Sequence, residues 1–137
     1  MAVGISGKYL GKKKVEILHI DSGVVITTDA PRDNQGEGKS FSPTDLVAAA
    51  FSSCVVTTIA IVAERGGIVI DGMHFSIEKH MNQEPRRIGS MPLELHLPVA
   101  LLPHERQKLE RAAYSCPVHH SLHPEVSAAI TFIYDVS

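Results

Sequence analysis

The chain has 137 residues, 44% of them hydrophobic and 20% charged, which is ordinary for a globular protein and enough for one domain with a real core. Lys and Arg total 13 against 15 Asp and Glu, a formal net charge of -2, so the basic excess of a nucleic-acid binder is missing. The two cysteines are too few for a disulfide scaffold. The segment Met1 to Leu10 has no apolar secretory core, and we expect a single cytoplasmic domain spanning 1–137.

In chain order, Val15 to Ile20 and Val24 to Thr28 are β-rich runs separated by Asp21-Ser22-Gly23, the pattern of a hairpin. The short basic run Lys12-Lys13-Lys14 reads as a solvated turn or strand edge. A polar loop from Asp29 to Ser40 follows, long enough to suggest a role beyond connection. Ser42-Pro43-Thr44-Asp45 then opens a helix: Ser42 suits the N-cap, Pro43 the first helical position, and Asp45 the positive end of the dipole. The helix is expected to run to Glu64-Arg65 and to end at Gly66-Gly67. Leu46 to Ala63 carries no charge, yet Ser52, Ser53, Thr57 and Thr58 and the flanking acids argue against a membrane span. A helix apolar on all sides predicts burial on nearly all sides, completed by a second copy of the chain.

Strands are expected over Met73 to Lys79 and Leu93 to Pro98, where apolar residues alternate with polar ones. Arg86-Arg87 reads as a solvated turn. A second helix should run from His104 to about Ser115, broken by Cys116-Pro117, and Ala128 to Val136 closes the chain as a strand. Sheets and helices segregated in this way indicate an α+β fold built on antiparallel strands.

The candidate chemistry lies with Cys54 and Cys116. A thiol attacks a peroxide as its thiolate, giving a sulfenic acid that a second cysteine condenses into a disulfide. Cys116, before Pro117, stands where an N-cap would, facing backbone N–H groups. Cys54 is mid-helix and lacks that device; Arg32 in the polar loop is a candidate cation for it, and a buried apolar role is its structural alternative. Cys116, His119, His120 and His123 lie close in sequence, but their spacing matches no standard zinc signature. We read the histidines as a surface group at a helix end, with no metal and no cofactor.

Two segments resemble one family. Phe41-Ser-Pro-Thr-Asp-Leu-Val-Ala-Ala-Ala-Phe-Ser-Ser-Cys54, continuing to Ala63-Glu-Arg-Gly-Gly-Ile68, is similar to the central helix of OsmC/Ohr proteins. Ala112-Ala-Tyr-Ser-Cys116-Pro-Val-His-His-Ser-Leu122 is similar to their second cysteine segment. The resemblance implies two central helices wrapped by sheets, in an intertwined homodimer with sites at the subunit interface. It also implies reduction of organic hydroperoxides by Cys54, resolution by Cys116 and turnover by a dithiol reductant. Arg32 would be the activating arginine, and Phe51 and Val55 would offer an apolar wall to an alkyl tail. The chain departs from the peroxidase members at Thr44, where they carry a glutamate that pairs with the arginine. Asp45 is one residue on, about 100° around the helix. The alternative expectation is therefore a dimeric binding or stress protein of the same fold without efficient peroxidase activity.

Overall fold

A computed structural model of the chain describes residues 1–137. It divides into two compact units, Met1–Val47 and Ala48–Ser137.

In the first unit β1 (Ile5–Gly11), β2 (Lys14–His19) and β3 (Val25–Asp29) form an antiparallel sheet in that order. The β2–β3 hairpin matches the expectation, and its turn has a clear local cause. Gly23 takes φ +76° and donates its N–H to His19 O at 2.8 Å, while the Ser22 hydroxyl sits 2.6 Å from His19 Nδ1. Gly accepts positive φ without steric penalty. Lys12 and Lys13 form the exposed β1–β2 turn, and Lys14 belongs to β2. Strand β1 was not foreseen. Gly7 dilutes its alternation, yet a Cβ there would stand 2.8 Å from Glu16 O, so the neighbouring strand requires the glycine.

The polar loop is tied down rather than loose. It contains a single 3-10 turn, Arg32–Asn34. The N–H of Asp29 donates to Phe41 O at 3.1 Å, and the Lys39 N–H donates to Asp29 Oδ2 at 3.0 Å. Lys14 Nζ reaches Glu37 at 2.9 Å and the buried Asp29 at 3.5 Å.

Helix α1 (Pro43–Arg65) starts where the cap predicts. It ends at Gly67, φ +65°, with the Ile68 N–H returning to Ala63 O at 2.9 Å. Within one chain the burial is one-sided. Ala48, Phe51, Ser52, Val55, Ile59 and Ala63 are buried at helical spacing, whereas Ala50, Ser53, Thr57 and Ile61 are exposed. The helix is long and apolar enough to cross a membrane by length and composition, but one third of its apolar window is buried within this chain.

In the second unit β4 (His74–Ile77), β7 (Leu93–Pro98) and β8 (Ile130–Val136) make one sheet, order β4-β7-β8. Strands β5 (His80–Gln83) and β6 (Arg86–Ser90) form a separate hairpin. Leu93, Leu95 and Leu97 all point into the core, as the alternation predicts. One pairing departs from the antiparallel expectation: β7 and β8 run parallel. Helices lie between them in sequence, which is what a parallel connection requires. Arg86 and Arg87 are strand residues, not a turn, and Arg87 hydrogen-bonds Glu125. Helix α2 (Pro103–Ala113) buries Leu109, Ala112 and Ala113, and α3 (Pro117–Ser121) follows at once. The core collects Phe51, Val55 and Ile59 from α1, Met91 and the β7 leucines, and Leu109. The α+β architecture is thus as expected from the segregated patterns.

Candidate active site

Cys116 is the N-cap of α3. Its backbone is extended (φ -62°, ψ 130°) because Pro117 excludes the helical region for the residue before it. That geometry turns Sγ back over the first turn, where it accepts the His119 N–H at 3.3 Å. The side chain is fully buried. Cys54 comes to the same place from the middle of α1 and is half-buried.

The two thiols are hydrogen-bonded to one another. Burial opposes ionisation of Cys54. Against it, the Cys116 thiol and the Val118 backbone N–H favour the thiolate, with a smaller contribution from the nearby Thr58 hydroxyl. The net result is a Cys54 thiol pKa below its ordinary value. Cys116 moves the other way: burial and the bond to Cys54 push its thiol up, with the His119 N–H only partly offsetting them. The pair is therefore asymmetric, one sulfur favoured as thiolate and its neighbour kept as a thiol donor. Nucleophilic attack followed by disulfide closure needs that asymmetry.

The amides of α3 were expected to serve Cys116 alone, with Cys54 unable to use them. That expectation is corrected, because the Val118 N–H reaches Cys54 across the tertiary contact. Sequence reasoning also missed Thr58. It lies one helical turn after Cys54, on the same face, and its hydroxyl donates to the Cys54 carbonyl at 2.8 Å.

The other expected residues are placed as follows. Asp45 and Ser42 cap α1 reciprocally: Asp45 N–H donates to Ser42 Oγ at 3.0 Å, and Ser42 N–H donates to Asp45 Oδ2 at 2.8 Å. Thr44 Oγ1 lies 3.2 Å from Ser42 Oγ. Arg32 is exposed on the loop turn, and its Nε donates to Glu37 O at 3.3 Å. Phe51 and Val55 are fully buried, and the Phe51 ring centroid lies 5.9 Å from that of His119. Nowhere do three His, Cys, Asp or Glu side chains meet as a metal site would need.

The OsmC family model, described as "OsmC-like protein", matches residues 36–131. The chain belongs to the OsmC-like family. No curated protein matches it. Among solved structures it resembles a Psychrobacter arcticus protein named for an osmotic stress induced and detoxification response. Identity is 32%, 96% of each chain is covered, and the TM-score is 0.90. It also resembles the organic hydroperoxide resistance protein OsmC of Legionella pneumophila, with 20% identity, 97% of each chain and a TM-score of 0.78. OhrB, the organic hydroperoxide resistance protein of Bacillus subtilis, aligns at 19% identity over 96% of this chain and 98% of its own, TM-score 0.69. At those two identities the likeness establishes the fold of this OsmC-like chain and not its activity.

Proposed function

We propose that this OsmC-like protein reduces organic hydroperoxides with Cys54 as the attacking thiolate and Cys116 as the resolving thiol. The single observation carrying this reading is the hydrogen-bonded thiol pair with opposite pKa displacements. The Cys54 thiolate attacks the distal peroxide oxygen; the O–O bond breaks, the alkoxide takes a proton and leaves as alcohol, and Cys54 becomes a sulfenic acid. Cys116 then forms the S–S bond, and the hydroxyl of the sulfenic acid departs as water. A dithiol reductant restores both thiols, and no cofactor enters the cycle. Arg32 serves as the activating cation in this reading, Asp45 as the acid at the head of α1, and Phe51 and Val55 back the apolar side that an alkyl tail would meet. The whole chain acts as one domain, in the cytoplasm, where free thiols persist.

A homodimer belongs to the same proposal. Ile5, Tyr9, Leu10, Ile20, Val25 and Ile26 are exposed in the first unit, and Ile61 is exposed on α1 in the second; a second copy would cover such apolar residues.

A second reading, a dimeric binding or stress protein without efficient peroxidase activity, is favoured by Thr44 at the position of the peroxidase glutamate. The deciding experiment adds one equivalent of cumene hydroperoxide to reduced protein and follows intact mass and stopped-flow kinetics. Rapid loss of two hydrogens, abolished by Cys54→Ser, is expected. Oxidation no faster than that of free cysteine would sink the peroxidase reading and leave the binding protein.

A further inference from the structure

The outward face of the β4-β7-β8 sheet carries a side-chain cluster that the cysteine chemistry does not use. His96 on β7 has both ring nitrogens occupied. Nδ1 lies 2.9 Å from each carboxylate oxygen of Asp135 on β8, and Nε2 lies 2.7 Å from Glu94 Oε1. His74 on β4 pairs with His96 in register and stacks flat on its ring, centroids 4.7 Å apart. The titratable groups facing the ring are thus His74 from β4, Glu94 from β7 itself and Asp135 from β8.

Carboxylates only accept hydrogen bonds, and a neutral imidazole has a single N–H to give. Carboxylates at opposite nitrogens therefore call for the doubly protonated ring. They bracket two protons and do not converge on one point as metal ligands would. The His96 side chain is 19% exposed, against 49% for Glu94 and 52% for Asp135, so the acids stay hydrated while the ring is shielded. The hydrogen bond from Asp135, then that from Glu94, holds the His96 imidazolium above its ordinary range.

The location gives the cluster its consequence. Strands β7 and β8 pair in step from Leu93 opposite Ile130 to Leu97 opposite Tyr134; the register then slips, Pro98 faces Val136, and Asp135 is the extra residue. A bulge disrupts the ladder and re-aims a side chain, here onto His96. Pro98 has no N–H to contribute. The backbone ladder is weakened where the side chains cross it, and beyond that point the Val99 N–H donates to Val136 O at 2.9 Å. Strand β8 also backs the second cysteine segment, because the Phe132 ring meets that of Tyr114, two residues before Cys116, at 6.1 Å between centroids.

We propose that His96, clasped as an imidazolium between Glu94 and Asp135 and stacked on His74, is a pH-released strap that fastens the end of β8 to β7. A histidine whose folded-state pKa is raised contributes stability that is complete below its unfolded value, about 6.5, and is lost as pH climbs through the raised one. The strap is closed in acid and opens above the ordinary histidine range. Loss of the proton sets a nitrogen lone pair against a carboxylate oxygen, and that contact parts. The inference is independent of the roles proposed for the two cysteines.

The test follows the full chain by NMR as pH is raised. The His96 ring should titrate above about 6.5 and carry protons on both nitrogens below its midpoint. Amide hydrogen exchange at Val99, expressed as a protection factor so that the intrinsic pH dependence is removed, should show a loss of protection across the same midpoint. In Asp135→Asn the His96 midpoint should fall and the Val99 step should vanish. Glu94→Gln removes a partner on β7 itself, so it should lower the midpoint and keep a step. A native His96 midpoint within or below the ordinary range overturns the proposal, and so does native Val99 protection without a step; neither measurement depends on a variant folding. An Asp135→Asn protein that retains the native step overturns it as well.

Discussion

Cys116 and Cys54 exchange a hydrogen bond that displaces their thiol pKa values in opposite directions, Cys54 down and Cys116 up. Removing one partner must therefore move the other. Burial opposes the Cys54 thiolate, so its lowered value depends on the donors around it, the Cys116 thiol foremost. Cys116→Ala deletes one of them. The pH profile of iodoacetamide alkylation at Cys54 should lie below that of free cysteine in the native protein and shift upward in Cys116→Ala. The sign follows from the chemistry: losing a donor to the thiolate disfavours the charged form. A native profile centred at or above free cysteine would contradict the geometry.

The head of α1 permits a separation of structure from chemistry. Ser42, 1% exposed, and Asp45 each accept the other's backbone N–H, which satisfies two donors that a helix start otherwise leaves unpaired. Ser42→Ala should cost about 1 kcal/mol in urea denaturation. Asp45→Ala should cost a similar amount, and the double variant should fall short of the sum because the two contacts belong to one box. Asp45→Ala that leaves stability untouched would show that the cap contributes nothing.

How much of this was legible in the sequence depended on the range of the interaction. The start and end of α1 and the N-cap role of Cys116 rest on local rules, from Ser42-Pro43, Gly66-Gly67 and Cys116-Pro117, and all three hold. The hairpin at Asp21-Ser22-Gly23 holds for the same reason. Strand β1 and the β5–β6 hairpin were invisible because glycines and charged residues break their alternation; only the neighbouring strand explains Gly7. The parallel pairing of β7 with β8 is tertiary and leaves no mark on either segment. Within the site, both cysteines were readable, but the Val118 amide that reaches Cys54 was not. A backbone donor carries no residue signature, and its meeting with α1 depends on the packing of the second unit. That Phe51 and Val55 are fully buried was not legible either, because helix periodicity cannot say which apolar face is inward when nearly every position is apolar.

The clasp on the polar loop should be unusually acid-resistant. Lys14 and Lys39 hold the Glu37 carboxyl at about 2, the hydrogen bond from Lys14 being the larger cause. A depressed carboxylate pKa contributes stability above the ordinary glutamate range, and that contribution is lost as pH falls toward about 2. Carbon-detected NMR titration of Glu37 should give a midpoint near that value. Lys14→Met should bring it up toward about 4.3 and also lower the urea midpoint, because Lys14 is the charge partner of the buried Asp29. A Glu37 midpoint in the ordinary range in the native protein would mean that the clasp is open in solution.

Oligomeric state is the remaining test, and α1 states it most sharply. Its inward stripe, Ala48 to Ala63, is satisfied within one chain, while Ala50, Ser53, Thr57 and Ile61 form an outward stripe that is small, uncharged and exposed. A stripe of that kind suits close approach of a second helix. Light scattering at micromolar concentration should give twice the chain mass of 14.9 kDa. Ile61→Glu and Thr57→Glu each place a charge in that stripe and should convert the protein to monomer or to aggregate, whereas Glu64→Gln, at the exposed end of the helix, should not. A native monomer with unchanged solubility in Ile61→Glu would show that the outward face of α1 is simply solvated.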